Sequence, residues 1–139
     1  MPKISSRYCA CLLLLPGLTG CGDSEVPRYE LSGTVTYDGQ PVPAGYMIFA
    51  SDADAGNQGP GSQVDIRDGK YHTLPGHGTI GGPHVVTIFA FDGQPYQLND
   101  DSGGPPMLNP MGNPLFESVS LNVDLPKKPA VHDFNVPRQ

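Results

Sequence analysis

The sequence has no tryptophan and only three cysteines in 139 residues. Because all three cysteines lie within the first 21 residues, the rest of the chain has no material for a disulfide scaffold, a CxxC redox pair or a cysteine nucleophile. Long apolar runs are also missing. The longest, Tyr8 to Leu15, has eight residues, whereas a helix needs about 20 apolar residues to span a bilayer. No segment is therefore expected to cross a membrane.

Positive charge is scarce, since eight Lys and Arg residues stand against fourteen Asp and Glu residues. Lys3 and Arg7 precede residue 21, so the remaining 119 residues (139 − 20) carry a net charge of 6 − 14, or −8. Apart from Lys127-Lys128, the cations do not cluster. A chain with this charge pattern is not expected to bind nucleic acid.

The N-terminal region has the layout of a signal peptide, with two cations, a short apolar run and then Pro16-Gly17. At an ordinary cleavage site small residues occupy alternate positions before the cut, and Leu18 fits that pattern poorly. Leu18-Thr19-Gly20-Cys21 instead resembles the bacterial lipobox. In that motif the cysteine thiol receives a diacylglycerol and the chain is cleaved just before it. The resemblance implies that Cys21 is the lipid attachment site.

This motif predicts a membrane-anchored lipoprotein of the cell envelope, facing the periplasm or the cell exterior. Two acyl chains give stable anchoring, whereas a single chain holds a protein only marginally. We expect residues 1–20 to form the signal peptide, residues 21–28 a lipidated tether and residues 29–139 one domain. The expected partners are the membrane, through the lipid, and other envelope proteins.

Hydrophobicity after residue 28 follows a period of two, which is typical of β-strands. Residues 84–91 are apolar on both faces, which predicts a central strand packed on two sides. Asp-Gly pairs at 38–39 and 68–69 predict tight turns. The absence of a helical period favours an all-β fold, a seven-stranded antiparallel β-sandwich that follows the signal peptide. The predicted strands lie at 31–37, 46–49, 64–66, 71–74, 84–91, 118–125 and 131–136.

Four segments carry a further resemblance: LSGTVTYDGQPVPAGYMIF at 31–49, IRDGKY at 66–71, GGPHVVTIFAF at 81–91 and DFNV at 133–136. Together they resemble the small lipoproteins abundant in planctomycete bacteria, which are similar to carboxypeptidase regulatory-like and transthyretin-like sandwich domains. The resemblance implies a seven-stranded sandwich with no established chemistry. In enzymes such a domain is an accessory module, so the resemblance implies no catalytic residues.

The sequence contains no recognisable catalytic set. It has no GxSxG nucleophile elbow, and residues 135–139, NVPRQ, lack the Tyr-Arg-Gly-Ser ending of the transthyretin-like 5-hydroxyisourate hydrolases. The histidines form no HxH or HxxxH pair that could start a zinc site. They are His72, His77, His84 and His132. We therefore expect a protein that is not an enzyme, that needs no cofactor and whose histidines are core or surface residues.

Two acidic loops are candidate calcium sites, because Ca²⁺ binds hard oxygen ligands. Asp52 and Asp54 lie in one loop, and Asp100 and Asp101 lie in the other. Neither loop has the spacing of an EF-hand, so solvated acidic loops are the favoured interpretation. Sugar binding is disfavoured by the lack of tryptophan, and a small hydrolase would require carboxylates from these loops to meet in space.

The segment 93–114 runs between two predicted strands and contains five prolines and four glycines. Structureless connections longer than about 12 to 15 residues are uncommon and are usually functional or disordered. Tyr96, Leu98, Met107 and Leu108 give this loop apolar side chains that could contact a partner. A surface loop is the favoured interpretation, and a partner-binding loop is the alternative.

These observations predict a membrane-anchored, non-catalytic β-sandwich that contacts envelope proteins or supports envelope structure. Two alternatives stay open. One is a module that binds Ca²⁺ or an envelope polysaccharide through the acidic loops, and the other, less favoured, is a small hydrolase with a carboxylate site.

Overall fold

The structure, a computed structural model, describes residues 25–99, 101 and 103–139. The signal peptide, the lipobox at 18–20, Cys21 and Asp100 lie outside these residues. Every regular element in the described ranges is a strand, as the period-two pattern predicts, and none is a helix that could cross a bilayer. The strands are β1 (Leu31–Tyr37), β2 (Gln40–Pro41), β3 (Ala44–Ser51), β4 (Ser62–Arg67), β5 (Lys70–His72), β6 (Gly82–Phe91), β7 (Tyr96–Leu98), β8 (Met107–Asn109), β9 (Val119–Leu125), β10 (Ala130–Val131) and β11 (Phe134–Val136).

Nine of these strands form one curled sheet in the order β10-β1-β5-β4-β3-β6-β9, with β2 and β11 also paired to β1. The strands β7 and β8 form a separate two-stranded sheet. The curl brings β5 and β11 over β3, because the rings of Phe49, Tyr71 and Phe134 meet with centroids 5.9–6.3 Å apart. The result is an all-β fold with a core between two layers, consistent with a β-sandwich.

The inner face of β3 shows how the sequence pattern produces this core. Met47 and Phe49 are completely buried, whereas Ile48 between them is exposed and Tyr46 is half-buried. Since successive side chains of a strand point to opposite faces, the alternation places one apolar row toward the second layer. The strand predicted at 46–49 is confirmed and extends to eight residues.

The central strand β6 is packed differently from the prediction. Its even-numbered residues are buried, but the odd-numbered ones are only half-buried. On that outer face Phe89 stacks on Tyr46 of β3 with ring centroids 4.6 Å apart, and Phe91 lies 6.4 Å from the same ring. Cross-strand aromatic contacts, rather than a third layer, cover this face within the described residues.

The two Asp-Gly turns follow the prediction. Asp38 and Gly39 have φ angles of 49° and 75°, and Asp68 and Gly69 have φ angles of 50° and 73°. Positive φ at both central residues identifies a type I′ turn, whose twist matches that of the flanking strands. The first turn joins β1 to β2 and the second joins β4 to β5.

The pairing along β1 corrects the expectation of a wholly antiparallel fold. Both β10 and β11 run parallel to β1, in one continuous register from Leu31 opposite Ala130 to Tyr37 opposite Val136. A hairpin forces its strands to be antiparallel, but these strands come from opposite ends of the domain and no hairpin joins them. We call the contact between β1 and residues 130–136 the closing seam.

Gly33 allows the closing seam to form. A Cβ atom at this position would overlap the carbonyl oxygen of His132. Tyr71 lies directly opposite Gly33 on β5, and its hydroxyl donates to the same carbonyl oxygen at 2.5 Å. The Tyr71 ring therefore passes over Gly33, so that an aromatic side chain covers a strand glycine. Burial raises the pKa of Tyr71, and the nearby charge of Asp133 raises it further.

Candidate functional site

Part of the segment 93–114 forms a β-structured extension rather than a loop without structure. β7 and β8 pair antiparallel, with Leu98 opposite Met107 and Tyr96 opposite Asn109. Leu98 and Met107 share one face and are 48% and 70% exposed, while Leu108 is 63% exposed on the other face. We call residues 92–114 the arm. It brings together three of the four predicted partner-binding residues on one face and places the fourth on the reverse.

The base of the arm is held by Asp92. Its Oδ1 accepts hydrogen bonds from the backbone N–H groups of Gln94 and Asn113, each at 2.9 Å, and its Oδ2 accepts one from the Asn113 side chain at 3.2 Å. These bonds, led by the one from Gln94, lower the pKa of Asp92. A Cβ at Gly112 would overlap this carboxylate. The side chain of Asp92 therefore joins the two strands of the arm where they leave the sheet.

A second polar residue, Asn109, fixes the arm halfway along. Its amide nitrogen donates to the Tyr96 hydroxyl and to the carbonyl oxygen of Gly112, both at 3.3 Å. Its Oδ1 accepts from the backbone N–H of Met111 at 3.1 Å. The turn at 109–112 is thus built from local hydrogen bonds, and the apolar side chains of the arm lie beyond it.

The arm and the N-terminal residues lie at opposite ends of the sheet. The arm continues from Phe91, which pairs with Ala44 at one end of β3. At the other end the guanidinium of Arg28 donates to the carbonyl oxygens of Gly61 and Gly78, at 3.3 and 3.0 Å. We call these the arm end and the tether end. β6 spans them with ten residues, which corresponds to about 33 Å.

The described residues of the two acidic loops do not form a common site. Asp52 and Asp54 follow β3 at the tether end, whereas Asp101 belongs to the arm at the other end. Asp52 also forms a hydrogen bond within its own loop, in which its Oδ1 accepts from the backbone N–H of Ala55 at 3.1 Å. Asp100 lies outside the described residues. The described carboxylates of the two loops are therefore too far apart to act together as the catalytic pair of a hydrolase.

The histidines are dispersed. His84 is buried in the core with Nδ1 2.9 Å from the carbonyl oxygen of Gly82, whereas His72 and His77 are exposed. His132 packs on the Phe134 ring. Among the residues that the structure describes, no three His, Cys, Asp or Glu side chains are placed to hold a metal ion.

A groove between β4 and β5 was not predicted from the sequence. The two strands pair only at Arg67 and Lys70, beside the turn, and then separate. The resulting groove encloses about 760 Å³, and Val64, Tyr71 and Leu74 form its apolar lining. Its polar lining includes Gln63, Asp65, Arg67, Lys70, His72 and His77. The sequence carries no signal for this opening, because the same Asp-Gly turn would also close a fully paired hairpin.

Comparison of the chain with protein-family models, with curated proteins and with solved structures finds no match. The geometry of the arm, the groove and the two ends of the sheet is therefore the basis for assigning a function.

Proposed function

We propose that this protein is a membrane-anchored envelope lipoprotein whose domain, a transthyretin-like or carboxypeptidase regulatory-like sandwich, binds another envelope protein through the arm and is not an enzyme. The observation that carries the proposal is the exposure of Leu98 and Met107 side by side on one face of a hydrogen-bonded two-stranded arm, with Leu108 exposed on the other face. Large apolar side chains grouped at the end of an element are typical of protein interaction sites.

The position of the arm supports the same function. A lipid on Cys21 would connect to the domain through residues 22–28, and Arg28 is bound at the tether end. Seven tether residues span at most about 25 Å. The arm would then project from the end of the domain that faces away from the membrane, where a partner protein can reach it.

Site-specific cross-linking in cells tests this proposal. The full-length chain would carry the photoreactive analogue p-benzoylphenylalanine in place of Met107, and a control would carry it in place of Val131. Val131 is 73% exposed, close to the 70% of Met107, but lies on β10. We expect one discrete adduct, identified by mass spectrometry, from position 107 and none from position 131.

Two further variants define the result. Cys21→Ala should abolish the adduct if the anchor brings the domain to its partner, and Leu98→Ser should weaken it at least severalfold because Leu98 lies opposite Met107. Adducts of equal yield from positions 107 and 131, or none from either, would refute the arm as a binding site.

A further inference from the structure

The walls of the groove are two strand edges that, beyond the Arg67–Lys70 pair, bond to no other strand in the described ranges. Along β4 the N–H of Asp68 donates to the carbonyl oxygen of Pro43 at 3.0 Å, which fixes the alternation of the ladder with β3. Since alternate residues of an antiparallel strand bond to opposite sides, Val64 and Ile66 bond to β3. The N–H and C=O groups of Gln63 and Asp65 point into the groove.

The facing wall follows from the same alternation. Thr73 of the β5 segment donates its N–H to the carbonyl oxygen of Leu31 at 2.9 Å, so Thr73 and Tyr71 bond to β1. His72, between them, presents its N–H and C=O groups to the groove. In the described part of the chain no strand pairs with this edge beyond Lys70. The groove thus offers backbone donors and acceptors on both sides.

The charges around the groove select the kind of occupant. Its carboxylate Asp65 lies 3.5 Å from Arg67, and the nearby Glu30 lies 3.8 Å from His72. Lys70 pairs with no carboxylate among the described residues. Near the tether end of β4, Arg28 donates to the carbonyl oxygens of Gly61 and Gly78 and forms no ion pair with a described carboxylate. Within the part of the chain that the structure describes, a cation without an anionic partner therefore lies near each end of the groove, although the chain as a whole is acidic.

We propose that the groove binds one extended, acidic peptide segment of a partner protein, which inserts as an additional strand between β4 and β5. Backbone hydrogen bonds to both edges would supply binding, as in other complexes formed by strand addition. Lys70 and Arg28 would contact acidic side chains of the peptide, and Val64, Tyr71 and Leu74 would contact its apolar side chains. This surface is separate from the arm, so either proposal can fail without the other.

Amide hydrogen exchange tests the insertion directly. The full-length protein, labelled with ¹⁵N in detergent micelles, would be mixed with an acetylated and amidated heptapeptide of alternating Glu and Val. We expect exchange to slow at least tenfold at the amides of Gln63, Asp65 and His72. The outer edge of β9, which pairs with no described strand, is an internal control, since Ser120, Asn122 and Asp124 alternate with the residues that bond to β6. Their exchange should not change.

Altered peptides separate backbone pairing from other modes of binding. The same peptide with Lys in place of Glu should bind at least severalfold more weakly. In a strand the odd-numbered and even-numbered N–H groups point to opposite sides. Methylating either set of amide nitrogens should therefore weaken binding, whereas a peptide paired to only one edge would tolerate one of the two methylations.

Two protein variants complete the test. Gln63→Pro removes an N–H that faces the groove and leaves the bonds to β3 intact, which edge strands tolerate. Asn122→Pro is the matched change on β9. We expect Gln63→Pro to bind the peptide at least tenfold more weakly than the wild type does. Asn122→Pro should bind the peptide as tightly as the wild type does. Should Gln63→Pro lower the thermal midpoint, Lys70→Glu provides a second variant, with an expected loss of about two- to fivefold.

Several outcomes would overturn the proposal. These are slowed exchange only at β9, no slowed exchange at 1 mM peptide, and equal binding of the Glu and Lys peptides. Protection of Gln63, Asp65 and His72 without peptide that rises with protein concentration would assign the groove to a second copy of the chain. The same protection at every concentration would assign it to another segment of this chain, and both results would contradict a partner peptide.

Discussion

The closing seam and the groove are two junctions of one sheet with opposite outcomes. At the closing seam, strands from the two ends of the domain pair in one register at both ends of β1, at residues 31–32 and 35–37. At the groove, two strands joined by a two-residue turn pair once and then separate. Proximity along the chain therefore does not decide which strands stay paired in this fold.

The difference comes from the side chains at each junction. At the closing seam Gly33 has no side chain to obstruct His132, and the Asp133 carboxylate accepts the backbone N–H of Thr34 at 2.8 Å. At the groove the charged Asp65 lies on the stretch of β4 that does not pair with β5, next to the paired Arg67. Charged residues discourage an edge strand from pairing with other strands indiscriminately. The side chains at the closing seam therefore favour strand pairing, whereas those at the groove leave the two strand edges apart.

The substitution expected to lower the stability of the domain most is Gly33→Ala. The added Cβ would overlap the carbonyl oxygen of His132, so β1 and residues 130–136 could not keep their spacing. We expect the free energy of unfolding, measured by urea denaturation, to fall by about 3 kcal/mol. Gly39→Ala is the control, because a Cβ there meets nothing within 4 Å and only the positive φ is unfavourable. If both variants lost the same free energy of unfolding, the close approach of Gly33 to His132 would not be the cause of the destabilisation.

Tyr71→Phe should have the next largest effect. It keeps the ring over Gly33 but removes the hydroxyl that donates to the carbonyl oxygen of His132. We expect a loss of about 1–2 kcal/mol in the same denaturation experiment. Tyr96→Phe, which removes a hydroxyl from the arm, should leave global unfolding nearly unchanged. If both variants lose the same free energy, the Tyr71 hydrogen bond does not stabilise the closing seam.

Strong acid should destabilise the closing seam through Asp133. The backbone N–H and the hydroxyl of Thr34 lower the pKa of Asp133 in the folded state. The lowered pKa means that the stabilisation is present above the unfolded pKa of about 3.9 and is lost as pH falls through the lower folded value. We expect the thermal midpoint of the wild type to fall more steeply between pH 4 and 2 than that of Asp133→Asn. Asp54→Asn is the control, and an identical profile for Asp133→Asn and the wild type would contradict this assignment.

Arg67→Ala at the groove should have the smallest effect on stability. The ion pair with Asp65 spans 3.5 Å between side chains that are 83% and 58% exposed, so water screens it. We expect the free energy of unfolding to change by less than about 0.5 kcal/mol, at low and high salt alike. A loss above about 1 kcal/mol would mean that these charges hold the edges of the groove in place.

Much of the fold was predictable from local patterns. The alternation around Met47 and Phe49 identifies β3 and its buried face, because side-chain direction in a strand depends only on position parity. The Asp-Gly pairs at 38–39 and 68–69 identify two turns, because few other dipeptides adopt positive φ at both residues. These signals lie within a few residues of the structure they specify.

The remaining features depend on contacts that no local pattern encodes. The parallel pairing of β1 with β10 and β11 joins distant segments, and Gly33 resembles any strand glycine until His132 is placed beside it. The strands of the arm were not predicted, because β7 and β8 have only three residues each and lie among prolines and glycines, which are typical of loops. To predict the groove, one would have to know where β4 and β5 stop pairing, and no local pattern gives that position.

The closing seam also has a consequence for how the chain folds. The hydrogen bond from Thr34 to Asp133 joins residues 99 positions apart. Contacts of such high sequence separation form late and slowly, since the chain entropy of a large loop is lost before they contribute. Until residues 130–136 arrive, β1 retains an unpaired edge that could pair with another chain. A polypeptide that stops short of Ala130 is therefore expected to aggregate through this edge, so a ribosome must have completed residues 130–136 before the edge is protected.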